Sequence, residues 1–180
     1  MKEKELERLT NLKKVEEELY NEKGLKAIAG IDEAGRGPLA GPVFAACVVL
    51  PRNVIIDGVD DSKKISAKKR ELLYDKIINE AVAYSIATAS VEEIETINIL
   101  QATFLAMKRA YDGLSVNSDI ALVDGNRSPS LPVKVVPIVK GDSISESIAS
   151  ASILAKVARD RHMLSLAEKY PEYQFEKHKG

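Results

Sequence analysis

Asp32-Glu33-Ala34-Gly35-Arg36-Gly37-Pro38-Leu39-Ala40-Gly41-Pro42 is the stretch on which the reading of this chain turns. A short apolar run, Lys26 to Ile31, precedes it, and a second, Val43 to Leu50, follows. Both read as strands, so two adjacent carboxylates stand where a buried strand ends. Carboxylates are costly to bury unless they are paired, hydrogen-bonded or bound to metal. Gly35 and Gly37 let the backbone approach a ligand that a Cβ would hold off. Pro38 and Pro42 stiffen the loop. The combination reads as a hard-metal site beside a backbone clamp.

Further along, two more expected strands end in acid. Asp119 to Val123 leads into Asp124-Gly125, and Val133 to Val139 leads into Lys140-Gly141-Asp142. In an α/β sheet the carboxyl ends of neighbouring strands share one edge, where ligands bind. Asp32, Glu33, Asp124 and Asp142 clustered there repel one another and raise one another's pKa values. Divalent cations remove that repulsion, and all-oxygen donors suit Mg²⁺ or Mn²⁺ rather than zinc. Two such ions about 3.5–4 Å apart form a phosphoryl-transfer site. Plainer roles stay open for each acid: Asp142 as the cap of the following helix, Asp124 as a turn residue before Gly125, and Asp32-Glu33 as ordinary loop acids. The tandem pair carries a geometric condition. Consecutive strand residues face opposite ways, so Asp32 and Glu33 meet in one cluster only if the backbone turns at Glu33.

The remaining elements follow from pattern. Leu6, Leu9, Leu12, Val15 and Leu19 form one helical stripe that ends at Gly24, an accessory helix. Ser66 caps a helix whose apolar face carries Leu72, Leu73 and Ile77. Val82 to Ala89 reads as a strand. Val91 to Thr96 is a helical turn, after which Asn98 caps a longer helix with Leu100, Phe104, Met107 and Tyr111 facing the core. Ser143-Ile144-Ser145-Glu146 reads as a capping box for a long helix toward Lys169, with a narrow face of Ile148, Ala151, Ala155 and Ala158. Arg159-Asp160-Arg161-His162 reads as an exposed charged run. Asp61-Ser62-Lys63-Lys64 is a charged loop with two equal readings, a lysine placed against a phosphate or a simply solvated loop. The expected organisation is an N-terminal helical extension over 1–25 and one catalytic domain over 26–180.

Composition sets the limits. With 180 residues, 45% hydrophobic and 29% charged, the chain buries a core and stays soluble. No apolar run approaches the roughly 20 residues of a membrane span, and the charged N-terminus is unlike a signal peptide. The single cysteine, Cys47, lies in an expected strand and supports no disulfide framework. A cytoplasmic protein follows, expected as a monomer. Lys+Arg total 26 against 27 Asp+Glu. That balance disfavours a purely electrostatic nucleic-acid binder but not an enzyme that meets phosphates through bound cations. Neither a nucleophilic Cys or Ser constellation nor a phosphate-cradling loop ending in Gly-Lys-Ser/Thr is present.

Gly30-Ile31-Asp32-Glu33-Ala34-Gly35-Arg36-Gly37-Pro38-Leu39-Ala40-Gly41-Pro42-Val43 resembles the signature of ribonuclease HII, the type 2 ribonucleases H. Asp61-Ser62-Lys63-Lys64, Val123-Asp124-Gly125, Lys140-Gly141-Asp142 and Ala149 to Asp160 resemble that family's later blocks, in its order. The resemblance implies a ribonuclease H-like α/β fold, a five-stranded mixed sheet flanked by helices. It implies that Asp32, Glu33, Asp124 and Asp142 bind two Mn²⁺ or Mg²⁺ ions. It implies that Gly35, Arg36 and Gly37 read the ribose 2′-hydroxyl, the group that distinguishes RNA from DNA, with Lys63 on the substrate backbone. The substrates would be RNA–DNA hybrids and duplex DNA carrying embedded ribonucleotides. These would be cut on the 5′ side of the ribonucleotide to leave 3′-hydroxyl and 5′-phosphate ends. Ribonuclease HIII shares the core but typically carries an N-terminal substrate-binding domain, for which the 25 residues or so here are too short. A non-catalytic nucleic-acid-binding module is disfavoured by four strand-end acids that would repel phosphates without metal. Members of the family continue past the equivalent of His178-Lys179-Gly180 with a tyrosine that packs on the junction sugar. This sequence stops at Gly180, so weaker discrimination of single ribonucleotides is expected.

Overall fold

The computed structural model describes residues 3–60 and 62–180, with backbone alone for 3–6, 22 and 23. The side chain of Leu6 in the N-terminal stripe and Asp61 of the charged loop therefore lie outside what is described. Helix α1 (Glu3–Lys23) leads into strands β1 (Ile28–Ala34) and β2 (Val43–Val49). Helix α2 (Ala67–Glu80), strand β3 (Ala83–Ala89) and helix α3 (Val91–Asp112) follow. Strands β4 (Ile120–Asp124) and β5 (Lys134–Ile138) lead through a 3₁₀ turn at Gly141–Ser143 to the long helix α4 (Glu146–Lys169). A second 3₁₀ turn, Pro171–Tyr173, and the one-turn helix α5 (Phe175–His178) finish the chain.

The expected mixed sheet of five strands is present, in the order β3-β2-β1-β4-β5. Strand β1 pairs antiparallel with β2 and parallel with β4. Its two faces are distinct. Ala29 and Ile31 pack with Val43, Ala45, Cys47 and Val123 under α3. Ala46 and Val48 pack on the other face with α2 and α4. Helix α4 lies so close to β1 that a Cβ at Gly30 would run into the Ser147 backbone. No helix among the described residues is long and apolar enough to cross a membrane.

Ser66 caps α2, accepting from the Lys69 amide at 3.3 Å. Asn98 breaks α3 with φ 67° and caps its second half, accepting from the Leu100 and Gln101 amides. Two expectations are corrected. Leu72 is 66% exposed, and Leu73 and Ile77 alone carry the buried face of α2. The cap of α4 is Ser145, which accepts from the Ile148 amide at 3.2 Å, because Gly141–Ser143 is taken up in the 3₁₀ turn. Asp142 therefore does not cap α4, and the Glu146 carboxylate turns away to the Ile56 amide, 2.6 Å distant.

Candidate active site

Strand β1 does not stop before the acids; Asp32 and Glu33 are strand residues, and pairing runs on to Ala34. The backbone does not turn at Glu33. Alternation sends the Asp32 side chain to the α4 face and that of Glu33 to the α3 face. They meet instead around the strand end, between two clefts of about 270 and 370 Å³, both of which Glu33 and Asp124 line. Parallel pairing brings in the third acid. Ile31 is in register with Val123, so Asp32 and Asp124 are the next residues along their strands.

Each carboxylate is held differently. Asp32 is 5% exposed, and its Oδ1 accepts from the Glu33 amide at 2.7 Å. Burial pushes its carboxyl well above the usual carboxylate range, and the charges of Glu33 and Asp124 push it further; a hydrogen bond from Ser152 opposes them. Burial likewise raises Glu33, while the Arg36 guanidinium, 3.3 Å from its Oε1, pulls it back. Asp124 Oδ1 accepts from the Gly141 amide at 2.6 Å, which ties β4 to the turn that carries Asp142. Asp142 is buried at the head of that turn, with Oδ1 3.4 Å from the Ser143 hydroxyl. The structure thus gathers Asp32, Glu33 and Asp124. It sets Asp142 one residue beyond the amide that binds Asp124, outside the lining of both clefts. Among the described residues no three acids or imidazoles close around a point that would enclose an ion. Arg36 partners Glu33, and the Gly141 amide partners Asp124.

These pKa directions predict a pH dependence. An acid whose folded pKa is raised binds more protons folded than unfolded, so stability falls as pH rises from its unfolded pKa toward its folded one. In chelator, wild type is expected to lose more melting temperature than Asp32→Asn between about pH 4, near the ordinary carboxylate pKa, and neutrality. Parallel curves for the two proteins would contradict the raised Asp32.

The larger cleft also holds Gly35, Arg36, Gly37 and Lys63, so the remaining residues singled out in the sequence share one wall system with Asp32. Gly35 and Gly37 differ sharply. Gly35 has φ +109° and would place a Cβ 2.5 Å from Arg159 Nε and 2.9 Å from the Pro42 carbonyl. Gly37 is exposed, and a Cβ there would meet nothing within 4 Å.

Sequence reading missed the residue that shapes this loop. Arg159, expected in an exposed run, is 1% exposed. It donates to the carbonyls of Ala40 (2.8 Å), Pro42 (3.3 Å) and Lys179 (2.8 Å), fastening the glycine loop to the chain's last residues. A signal was available: Ala151, Ala155, Arg159, Met163 and Ala167 are spaced by four, and all are buried. Ser152 and Lys156 on the same helix line the larger cleft as well. Ser152 Oγ lies 2.9 Å from Ser62 Oγ, and Lys156 pairs with Asp160 at 2.6 Å.

Comparison with known proteins agrees with this geometry. The family model described as ribonuclease HII matches residues 29–180. A ribonuclease HII of Caldicellulosiruptor bescii is 56% identical over 170 residues, which is 94% of this chain and 82% of that protein. The crystal structure of ribonuclease H2 from Pyrococcus horikoshii superposes with a TM-score of 0.74 at 28% identity, covering 82% of this chain and 79% of the other. The structure of Bst ribonuclease HIII in complex with Mn²⁺ shares the fold, with a TM-score of 0.65 at 18% identity, over 79% of this chain and 55% of the other. The chain belongs to the ribonuclease HII family of ribonuclease H hydrolases.

Proposed function

We propose that the chain hydrolyses the RNA strand of RNA–DNA hybrids and cuts on the 5′ side of ribonucleotides embedded in duplex DNA. The observation that carries the reading is the mutually repelling set of buried Asp32 and half-buried Glu33 and Asp124 at the ends of β1 and β4, opening on clefts lined by cations. Hard oxygen donors whose own charges repel fit divalent ions of the Mg²⁺ or Mn²⁺ type. Asp32, Glu33 and Asp124 would hold them, with Asp142 joining from the adjacent turn. Bound ions supply the charge that makes water nucleophilic at neutral pH and that stabilises the leaving oxygen, giving 3′-hydroxyl and 5′-phosphate ends.

The chain's own residues do the rest. Ser152 orients Asp32 from α4. Arg36 holds the Glu33 carboxylate in place. Arg159 fixes the loop so that backbone groups around Gly37 face the cleft at close range, where a ribose 2′-hydroxyl is recognised. Lys63 and Lys156 present positive charge to the phosphates.

A duplex DNA with one ribonucleotide tests the reading. The expected product is a single nick 5′ of the ribonucleotide, with the ribonucleotide bearing the 5′-phosphate. Cleavage on the 3′ side, or none in either Mg²⁺ or Mn²⁺, overturns it. The loop gives a sharper prediction. Because Gly37 has space around it, Gly37→Ala leaves the melting temperature unchanged yet displaces a close-approaching sugar, a misplacement that costs about 10²-fold in rate. Gly35→Ala, by contrast, lowers the melting temperature, since its positive φ and the Arg159 contact both demand glycine. An undiminished rate for Gly37→Ala would reduce the loop to a turn.

A further inference from the structure

Helix α1 is fastened to the start of α4 by buried polar side chains that the proposed reaction does not use. Glu16 is 3% exposed. Its Oε1 accepts from Ser145 Oγ at 2.5 Å, Ser147 Oγ at 2.7 Å and the Ser147 amide at 2.9 Å. One turn earlier, Lys13 donates to the carbonyls of Arg52 and Val54 and lies 3.7 Å from Glu146 Oε2. Leu9, Leu12 and Tyr20 already bury an apolar side of this helix. Burying Lys13, Glu16 and Glu146 adds a desolvation cost that is offset only if their partners are held in fixed places.

What α1 grips is the piece of backbone that joins the carboxylate-bearing elements. On one side, Ser147 lies against β1 at Gly30, two residues before Asp32. On the other, the Ile144 and Ser145 amides donate to the Gly141 carbonyl at 2.9 and 2.8 Å. The Gly141 amide in turn holds Asp124 Oδ1 at 2.6 Å. The first turn of α4 is thus a wedge between β1 and the Gly141–Ser143 turn, and Glu16 makes three hydrogen bonds to that wedge.

We propose that Glu16 is a positioning residue: through Ser145 and Ser147 it fixes the first turn of α4, and with it Asp142 and the orientation of Asp124. The inference rests on reading those acids as metal ligands. Groups that orient ligands from outside contribute 10- to 100-fold in metal affinity. All three bonds end on one acceptor oxygen, so glutamine serves as well as glutamate, and alanine does not.

The test is Mn²⁺ binding to the substrate-free chain by calorimetry, with amide exchange of residues 141–147 in chelator as a second readout. Glu16→Ala is expected to weaken Mn²⁺ binding about 10- to 100-fold and to speed exchange at Gly141 and Ser145, while Glu16→Gln stays within about threefold of wild type. Ser147→Ala removes one of the three donors, the hydroxyl, and shifts both readouts in the same direction by less; it carries the test if Glu16→Ala does not fold. Leu9→Ala loosens α1 without touching the serines, and it lowers the melting temperature but leaves Mn²⁺ affinity unchanged. Glu16→Ala binding Mn²⁺ as tightly as wild type, or Leu9→Ala weakening it as much as Glu16→Ala does, overturns the proposal. A wild-type chain that binds no Mn²⁺ overturns the metal-site reading on which it stands.

Discussion

Asp32→Asn is expected to reduce hybrid cleavage by more than about 100-fold, beyond the range seen for groups that only orient ligands, and to raise the melting temperature of the chelator-treated protein. The two effects have one cause. Asp32 is nearly fully buried, with Glu33 and Asp124 as its nearest like charges and only a serine and an amide hydrogen bond opposing them. An amide keeps the shape and the hydrogen bonds but removes one of the repelling charges. A gain of even about 1 kcal/mol raises the melting temperature by about 2–4 °C in a chain of this size. A variant that retains activity, or one that melts lower than wild type in chelator, would show that Asp32 is a structural acid.

Arg159→Ala should have the largest effect on stability. It strips the donors from the carbonyls of Ala40, Pro42 and Lys179, three groups held by one buried side chain. A fully buried acceptor left without a partner costs about 1–3 kcal/mol, and these half-buried carbonyls take the low end. At about 1 kcal/mol apiece the melting temperature falls by roughly 6–12 °C. The loop over residues 35–42 loosens with it, so cleavage drops beyond the loss of folded protein. Arg159→Lys recovers little, because one ammonium cannot reproduce a planar fork of donors. Thermal melts of the three proteins, with rates measured well below their transitions, check both parts. A melting temperature within 2 °C of wild type for Arg159→Ala, set against that roughly 6–12 °C estimate, would mean that water replaces the guanidinium at no cost.

Most of the sheet was legible because its strands are apolar runs punctuated by glycine, proline and acid. Asp124 was legible for the same reason: it is the first polar residue after Ile120–Val123. The extension of β1 through Asp32 and Glu33 was not, since two carboxylates in sequence look like the end of a strand. Pairing of Asp32 with Ala46 and Glu33 with Ala45, supplied by a distant segment, keeps them in it. Arg159 and Glu16 escaped for a related reason. Charged residues within otherwise apolar stripes read as surface, and only the partners that tertiary structure brings identify them as buried. The choice of Ser145 over Ser143 as the α4 cap depends on Gly141 accepting amides from the residues after it, a contact with no sequence pattern of its own.

Hydrolysis of the RNA strand by water would depend on divalent ions that the strand-end carboxylates would hold. Its most direct test is cleavage of an end-labelled RNA strand paired with DNA, with Mn²⁺ and with chelator, alongside RNA–RNA and DNA–DNA duplexes of the same sequence. The account predicts cutting of the hybrid alone of these three, only with the ion present, and 5′-phosphate ends on the products. Cutting that persists in chelator and leaves 2′,3′-cyclic phosphate ends would contradict it, because the ribose hydroxyl rather than water would then be the nucleophile.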